Sequence, residues 1–225
     1  MITLYYTDFS GRNTEELRES CKNKIDAERY EKAMRIRAPE ARVRSLLGGL
    51  LLQGAVKEAL HSEKEAISLP LRYGPQGKPY LEEYPEIFFN LSHSGTVAIC
   101  VLCDEEVGVD VQEYRKVRAN VAERFFTGEE KEQLSALKAD TEEYEKLFFR
   151  MWSVKESYIK FTGLGMKQGL DTFGIDWENQ QIRDEESGKE VACFREVSIG
   201  GLSRYAICAC TSSRQEIILR EVPLK

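Results

Sequence analysis

The feature that most constrains the fold is a pattern that occurs twice along the chain. A long helix with an apolar stripe comes first, and a series of short strand-like runs follows it. Apolar residues recur with the 3.6-residue period of one buried helix face over about residues 39–61 and again over about 141–161. The second helix ends before Gly163, because glycine readily adopts the left-handed conformation of a C-cap. The pattern predicts an α+β fold with two similar halves, residues 1–112 and 113–225.

Strand-like runs are marked by β-branched and apolar residues bounded by turn residues. Three successive runs predict an antiparallel meander, at Ile87–Ser92, Thr96–Leu102 and Val107–Gln112. The other predicted strands are Met1–Thr7, Thr172–Trp177, Val191–Val197, Arg204–Cys210 and Glu216–Arg220.

The segments between these elements are predicted as a loop and as helices. Prolines and glycines spaced through Pro70–Tyr80 predict a loop. Short helices are predicted over Val117–Phe126 and Glu129–Ala139, with Thr127 as the N-cap of the second. The charged stretch Thr14–Arg37 is compatible with a helix.

Composition excludes several classes of function. The 225 residues carry a formal charge of −6, which argues against the broad basic surface of a general nucleic-acid-binding protein. The longest apolar run, Val97–Cys103, is far shorter than the roughly 20 residues of a membrane span. Met1–Arg12 lacks the basic and apolar regions of a secretory signal. We therefore expect a cytoplasmic protein with no nucleic-acid or membrane partner.

The six cysteines are expected to be reduced, because the chain is large and has no secretory signal. Cys100 and Cys103 form a CxxC, but residues three apart in a strand point to opposite faces of the sheet. With only His61 and His93 as further ligands, the sequence does not predict a structural zinc site.

Two segments carry residues suited to phosphate chemistry. In the second long helix, Glu156 and Lys160 lie one turn apart on one face, with Lys155 beside them. The alternative is an ordinary Glu–Lys pair that faces solvent, although the surrounding helix is largely apolar. Asp110 lies between β-branched residues and is either an edge-strand acid facing water or an oxygen ligand. Together, Asp110 and Glu156 match the one or two carboxylates with which proteins hold Mg²⁺.

Other local patterns fail as known motifs. Ser92 and His93 are adjacent in a predicted strand, so their side chains diverge and a nucleophile–base pair is not expected. His93 is either a phosphate or ribose contact or a hydrogen-bonded core residue. Lys78 follows Gly77 without the spacing of a phosphate loop. The glycines after the second helix miss the dinucleotide-binding spacing.

Taken in order and spacing, five segments resemble the motifs of Sfp-type 4′-phosphopantetheinyl transferases. The most specific part is the Gly-Val-Asp segment followed some 40 residues later by Trp-x-x-Lys-Glu. The match covers roughly Lys78 to Gly165. The segments are Gly77–Tyr80, Phe89–Ser94, Val107–Val111, Arg124–Phe126 and Trp152–Lys160.

The resemblance implies a pseudo-twofold pair of α+β halves, with coenzyme A and Mg²⁺ in the cleft between them. It implies that Asp110 and Glu156 bind the metal, with Glu130 as a less certain further acid, and that Lys160 approaches the pyrophosphate. Gln112 stands where many bacterial members have a second acid, so its part in the metal site is open. The coenzyme A contacts implied are Arg29, Lys32, Arg44 and His93 at the 3′-phosphate, Lys78 and Pro79 beside the adenine, and Ser92 as a further contact.

The implied reaction is transfer of 4′-phosphopantetheine from coenzyme A to a serine of an apo acyl or peptidyl carrier protein, with release of 3′,5′-ADP. Glu156 is the first candidate for the general base, and Lys155 or Lys160 is the second. Gln112 brings no charge, so we expect a weaker or altered metal preference, with a larger gain from Mn²⁺. The alternative is a non-catalytic module that binds coenzyme A and carrier proteins.

The resemblance leaves the partner surface open. Carrier proteins are commonly acidic, so a docking patch near Arg124, Phe125 and Phe126 is one interpretation. The other is that both phenylalanines belong to the core. Two joined halves supply a complete cleft, so a monomer is expected.

Overall fold

The computed structural model describes residues 1–64, 67–117 and 121–224, and it is an α+β structure as the sequence predicts. Three residues of the predicted helix Val117–Phe126 lie outside the described part. The helices are α1 Thr14–Cys21, α2 Ala27–Met34, α3 Pro39–Ala59, α4 Val121–Phe125, α5 Gly128–Ser135 and α6 Glu142–Thr162. The strands are β1 Ile2–Asp8, β2 Leu71–Tyr73, β3 Pro79–Leu81, β4 Phe88–Ser94, β5 Val97–Cys103, β6 Val107–Glu113, β7 Phe173–Asp176, β8 Gln181–Asp184, β9 Glu190–Glu196, β10 Tyr205–Thr211 and β11 Ile217–Glu221.

The chain forms two compact units. Unit 1 comprises Met1–Gly74, Pro79–Glu105 and Glu216–Lys225, and unit 2 comprises Pro75–Lys78 and Glu106–Gln215. The predicted halves, and the predicted cleft between them, stay predictions. No helix in the described part of the chain is both long and apolar enough to cross a membrane.

Unit 1 packs the long helix α3 against a four-stranded sheet of order β11-β1-β5-β4. Strand β11 runs parallel to β1, and the other neighbours are antiparallel. Residues of the predicted apolar stripe in α3, including Val43, Leu46, Leu47 and Leu51, are buried as expected. Pro39 occupies the first turn, where its missing N–H costs no hydrogen bond.

Two short helices precede α3, where the sequence predicts only a helix-compatible stretch. Asn13 caps α1 and Asp26 caps α2 through side-chain oxygens that accept backbone N–H groups. The predicted loop at residues 70–80 contains a small hairpin, β2 paired with β3. The loop prediction is wrong at these strands because proline and glycine punctuate the hairpin but do not prevent its short ladder.

Unit 2 packs α6 against β6 and β10 in a five-stranded antiparallel sheet of order β6-β10-β9-β8-β7. The predicted meander is therefore wrong in its third strand. Both edges of β5 are already paired, with β4 and β1, so β6 joins β10 in the second sheet. The sequence does not predict strand β8, because its residues, Gln181–Asp184, are mostly polar.

The helix ends of unit 2 follow the sequence. Thr127 caps α5 in a reciprocal capping box with Glu130, which confirms the predicted N-cap. Gly163 ends α6 in the left-handed region with φ of 69°, as predicted. The left-handed Gly163 therefore marks the C-terminal end of α6.

Candidate active site

Gly108 lets α6 approach β6 at backbone distance. A Cβ atom at this position would lie 2.0 Å from the carbonyl oxygen of Ser157 and 2.4 Å from the backbone nitrogen of Phe161. Contacts this short exclude every side chain, so only glycine fits between the strand and the helix. The close approach brings the side chains of α6 to those of the adjacent residues of β6.

Hydrogen bonds fix the register of helix and strand. The Ser153 hydroxyl donates to the carbonyl oxygen of Asp110 at 3.2 Å. The Lys160 ammonium donates to the carbonyl oxygen of Val109 at 3.1 Å and pairs with Asp110 Oδ1 at 2.6 Å. The Asp110 side chain is only 2% exposed, so this pair is shielded from water on the carboxylate side. Residues 50 positions apart in sequence are thus held as one cluster.

Gln112 completes the surroundings of Asp110. Its amide Nε2 donates to Asp110 Oδ2 at 2.9 Å. Both carboxylate oxygens of Asp110 therefore accept a hydrogen bond, one from a cation and one from a neutral amide. In this arrangement Gln112 acts as a donor to Asp110, and its own role as a metal ligand stays a prediction.

Glu156 is half-buried on α6, one turn before Lys160. Burial raises the pKa of Glu156, the negative charge of Asp110 raises it further, and the Lys160 ammonium opposes both effects. Two carboxylates that repel each other in a partly buried place are a common sign of a cation site or of acid–base chemistry. Sequence spacing predicted the two acids, and the structure brings them together.

The donor set fits a hard divalent cation. Asp110 and Glu156 offer carboxylate oxygens, and Mg²⁺ typically takes one or two carboxylates and completes its shell with water and substrate phosphate. Within the described residues, no group of three or more histidine, cysteine, aspartate or glutamate side chains forms a metal cage. Two carboxylates are sufficient for a cation shared with a phosphate ligand, but they are not a zinc-type site.

Lys155 and Glu130 form a separate buried ion pair. The Lys155 ammonium lies 2.9 Å from Glu130 Oε2, and the two side chains are 0% and 2% exposed. The structure thus pairs the predicted further acid, Glu130, with the predicted alternative base, Lys155. Neither side chain faces solvent.

Unit 1 contains a cavity of about 590 Å³ in which predicted coenzyme A contacts meet. Arg29, Lys32 and Pro79 all line it. Tyr73, which the sequence analysis missed, joins them: its hydroxyl accepts a hydrogen bond from the Lys32 ammonium at 3.0 Å. Tyr73 and Pro79 are directly opposite each other in the β2–β3 ladder. The sequence did not predict this pairing, because the hairpin was predicted as a loop.

Arg29 is held by the packing of α3. A Cβ on Gly49 would lie 2.8 Å from Arg29 Nε, so the glycine makes room for the arginine side chain. The Nε atom is buried and has no hydrogen-bond partner in the described part of the protein. Burial lowers the pKa of the Arg29 guanidinium, with smaller opposing effects from Cys100, Tyr73 and nearby Asp26. Arg29 as a whole is half-buried and lines the cavity, so its guanidinium is a cation suited to receive an anion there.

Arg44 contacts the turn between β4 and β5, which follows His93 in the chain. The Arg44 guanidinium donates to the carbonyl oxygen of Gly95 at 3.1 Å. His93 is exposed near the end of β4, and Ser92 before it is buried, as the alternation of a strand requires. The structure therefore places Arg44 at the turn that follows His93.

Lys78 is engaged inside unit 2. Its ammonium donates to the carbonyl oxygen of Phe161 at 2.9 Å and to that of Val107 at 3.2 Å, and it pairs with Glu106. Its donors are therefore used by the end of α6 and the start of β6. The predicted adenine contact of Lys78 stays a prediction.

The predicted docking patch is only partly exposed. Phe126 is fully buried in the core of unit 2, so the core interpretation holds for this residue. Phe125 is half-buried, and the Arg124 guanidinium lies 5.0 Å from its ring. Arg124 and Phe125 remain as the candidate patch.

A second cavity, of about 470 Å³, lies in unit 2 next to Gln112. Its wall includes the aromatic residues Phe148, Phe149 and Trp152, and Arg115 and Lys116 add positive charge. The sequence analysis missed it because aromatic residues at helical spacing are usually core. The cavity offers an apolar surface one helical turn from Glu156.

Comparison with known proteins gives a consistent result. A family model described as the 4′-phosphopantetheinyl transferase superfamily matches residues 106–210, and one described as the N-terminal part of a 4′-phosphopantetheinyl transferase matches residues 14–105. A 4′-phosphopantetheinyl transferase of Bacillus subtilis is 32% identical over 187 residues, covering 82% of each chain. The 4′-phosphopantetheinyl transferase Sfp of Bacillus subtilis strain 168 is 30% identical over 189 residues, with 82% of each chain covered.

Proposed function

This chain belongs to the 4′-phosphopantetheinyl transferase superfamily, and we propose that it transfers the 4′-phosphopantetheine group of coenzyme A to a serine hydroxyl of an apo acyl or peptidyl carrier protein. The observation that carries the proposal is the cluster of Asp110, Glu156 and Lys160 around Gly108. It combines two carboxylates and one ammonium, which suits the binding of a pyrophosphate together with a divalent cation.

The cavity of unit 1 is suited to the nucleotide end of coenzyme A. Arg29 and Lys32 place two positive charges in one cavity, where a 3′-phosphate would be neutralised. Pro79, with Tyr73 opposite it, offers flat apolar surface for the adenine ring. Arg44 and His93 would add contacts to the same phosphate. These roles are assigned from the chemistry of the side chains and from the resemblance.

Asp110 and Glu156 would hold a magnesium ion, with Gln112 beside them. When bound, the ion would supply positive charge to the pyrophosphate of coenzyme A as negative charge builds up on the leaving group. The crowding of the two carboxylates fits this role, because a bound cation relieves their repulsion. Lys160 already neutralises part of the charge on Asp110 and would share the pyrophosphate.

The reaction is phosphoryl transfer to an alcohol. The carrier serine oxygen attacks the phosphorus on the pantetheine side, a new P–O bond forms, and the bond to the 3′,5′-ADP group breaks. The serine proton passes to the Glu156 carboxylate, directly or through one water, since a raised pKa makes this carboxylate a stronger base. Lys160 is a poorer acceptor because its ammonium is already donating to Asp110 and to the backbone.

The second cavity of unit 2 would receive the pantetheine arm. The arm carries a dimethyl group and two amides, and the cavity combines aromatic walls with the amide of Gln112. Positioning the arm beside the reacting phosphate would supply much of the rate enhancement. Arg124 and Phe125 are the proposed docking patch for an acidic carrier protein.

We place this activity in a cytoplasmic monomer. All six cysteines are free thiols and five of them are buried, as is usual in a reducing compartment. Asp110, Glu156 and Lys160 come from one unit of one chain, so the cluster needs no second subunit. Analytical ultracentrifugation at assay concentration would test the monomer.

The experiment that tests the function is intact-mass spectrometry of apo carrier proteins incubated with coenzyme A, Mg²⁺ and this protein. We expect a mass gain of one phosphopantetheine, and loss of that gain with Asp110→Asn and with Glu156→Gln. Glu142→Gln is the matched control, because Glu142 is an exposed acid on the same helix and is paired with Lys146. No gain on any of several carriers, with coenzyme A still bound, would favour the non-catalytic binding module.

A further inference from the structure

Lys155 precedes Glu156 in the sequence, yet its side chain is directed into the interior of unit 2. It is fully buried, with 0% of the side chain exposed. Its ammonium donates to the carbonyl oxygens of Leu170 and Phe173, each at 2.7 Å, and lies 2.9 Å from Glu130 Oε2. The charged group of Lys155 is therefore anchored at three points away from solvent.

Three oxygen atoms occupy the hydrogen-bonding directions of the Lys155 nitrogen. An ammonium group has three N–H donors, whereas a neutral amine has two donors and a lone pair. Two carbonyl oxygens and Glu130 Oε2 surround the nitrogen, so all three directions are used whether the shared proton is on Lys155 or on Glu130. Lys155 therefore has no free lone pair with which to accept the serine proton.

Glu130 connects this anchor to the start of α5. Its Oε2 also accepts the backbone N–H of Thr127 at 2.9 Å, and the Thr127 hydroxyl caps the helix in return. The ring of Phe173 lies 4.6 Å from the Lys155 ammonium. One ammonium therefore ties α6 to the first turn of α5, to a 3-10 turn at Leu170–Thr172 and to the start of β7.

Helix α6 is consequently held on two sides. On the β6 side, Ser153 and Lys160 bond to the backbone of Asp110 and Val109. On the other side, Lys155 bonds to Glu130 and to the segment that follows the helix. Successive residues of a helix are about 100° apart, so an anchor at Lys155 fixes the direction in which Glu156 points. Without it, the helix is free to roll about its contact with β6.

We propose that Lys155 is a positioning residue that, with Glu130, fixes the rotation of α6 and so aims the Glu156 carboxylate at the reacting centre beside Asp110. The inference deepens the proposed function, because it assigns Lys155 to orientation and leaves Glu156 as the proton acceptor. A displacement of about 1 Å at a reacting group is enough to lower a rate about 10²-fold.

The test uses the double variant Lys155→Met/Glu130→Gln. Removing both charges together leaves no unpaired buried charge, so the fold is expected to persist where Lys155→Met alone risks losing it. Ile182→Ala is the matched control: Ile182 is fully buried in the same apolar cluster of unit 2, and its side chain makes no hydrogen bond or ion pair because it has no polar atom. It removes packing without releasing the ammonium.

Two readouts separate the inference from the proposed function. Crystal structures of the wild type and the double variant are expected to show Glu156 displaced by about 1 Å or more relative to β6. In transfer assays, kcat is expected to fall about 10²-fold, while the coenzyme A dissociation constant measured without Mg²⁺ stays within twofold because Arg29 and Lys32 are untouched. Ile182→Ala should lower the melting temperature but leave kcat and the Glu156 position unchanged.

A double variant in which Glu156 overlays the wild-type position would overturn the inference, whether or not the protein is a transferase. Equal losses of kcat in the double variant and in Ile182→Ala would also overturn it, because general loosening would then explain the effect. Absence of transfer by the wild type, with Glu156 displaced in the variant, would contradict the proposed function and support the positioning role.

Discussion

The two units place their candidate ligand-binding groups in different ways. In unit 1, long side chains carry the charge: Arg29 and Lys32 line a cavity, and a glycine of α3 makes room for Arg29. In unit 2, the backbone does the placing, because Gly108 lets α6 lie directly on β6 and brings Glu156 to Asp110. A long side chain can change its rotamer to accommodate an added methyl group, whereas two backbones in contact must move apart. Unit 2 should therefore be the more sensitive to single-atom changes.

The largest effect is expected from Gly108→Ala. The added methyl group would lie 2.0 Å from a backbone carbonyl oxygen, so β6 and α6 must separate. We expect the free energy of unfolding to fall by about 3 kcal/mol or more, the upper end of overpacking costs, and transfer to be lost. Urea unfolding and the mass assay measure the two losses.

Gly49→Ala is the matched change in unit 1. Its methyl group would meet the Arg29 side chain at 2.8 Å, and that side chain can move. We expect a smaller loss of stability than in Gly108→Ala and a weaker affinity for coenzyme A. Equal stability losses in the two variants would contradict the claim that the backbone contact in unit 2 is less tolerant of an added methyl group than the side-chain contact in unit 1.

Glu156→Gln should give the next largest effect on activity. Removing the proton acceptor is expected to lower kcat about 10²- to 10⁴-fold, because general base catalysis contributes factors of this size. The same change should stabilise the metal-free protein at neutral pH, since the amide removes a partly buried negative charge and is not repelled by Asp110. Stopped-flow or mass-based kinetics measure the fall in kcat, and thermal unfolding in EDTA measures the gain in stability.

The pH dependence of this stabilisation follows from the pKa of Glu156, which is raised in the folded protein. A carboxyl with a raised folded pKa favours folding below its unfolded pKa and loses that contribution as pH rises through the folded value. The stability advantage of Glu156→Gln should therefore be smallest in acid and grow as pH rises through the raised pKa. An advantage that shrinks as pH rises would show that the two carboxylates do not repel.

Local signals in the sequence predicted part of the arrangement in unit 2. Helical spacing predicted that Glu156 and Lys160 share a face, and glycine after α6 predicted its C-cap. Spacing could not show that Lys155 points inward to Glu130, because this depends on how α5 and β7 pack on α6. The sequence also did not predict that Gly108 excludes any side chain, since this depends on a helix some 50 residues later.

Long-range pairing was the part of the fold that the sequence did not determine. The β-branched residues of β6 predicted a strand correctly, but strand partners depend on which edges are free. Because β5 uses both its edges, β6 pairs with β10, about 100 residues later. In unit 1, the hairpin that places Tyr73 opposite Pro79 is only three residues per strand, too short to show alternation.

Arg29→Met tests the side-chain placement of unit 1. The loss of one charged hydrogen-bonding group should raise the dissociation constant of coenzyme A about 10- to 100-fold, corresponding to about 1.5–3 kcal/mol. Binding of 3′-dephospho-coenzyme A should be nearly unchanged, because the contact is proposed to be with the 3′-phosphate. Isothermal titration with both ligands makes the comparison, and Arg18→Met on α1, whose partners are Glu15 and Glu19, is the control. Equal losses for both ligands would move Arg29 away from the 3′-phosphate.

The smallest effect is expected from Gln112→Glu, which tests whether residue 112 takes part in the metal site. The amide of Gln112 now donates to Asp110, and a glutamate would replace that donor with a third negative charge. We expect the Mg²⁺ concentration for half-maximal transfer to fall roughly fivefold, the effect of about 1 kcal/mol for one charge in a wet site. The wild type should gain more than the variant when Mn²⁺ replaces Mg²⁺, because it has one charged ligand fewer. Transfer rates over a range of both metals measure this difference, and an unchanged metal requirement and rate would remove Gln112 from the metal site.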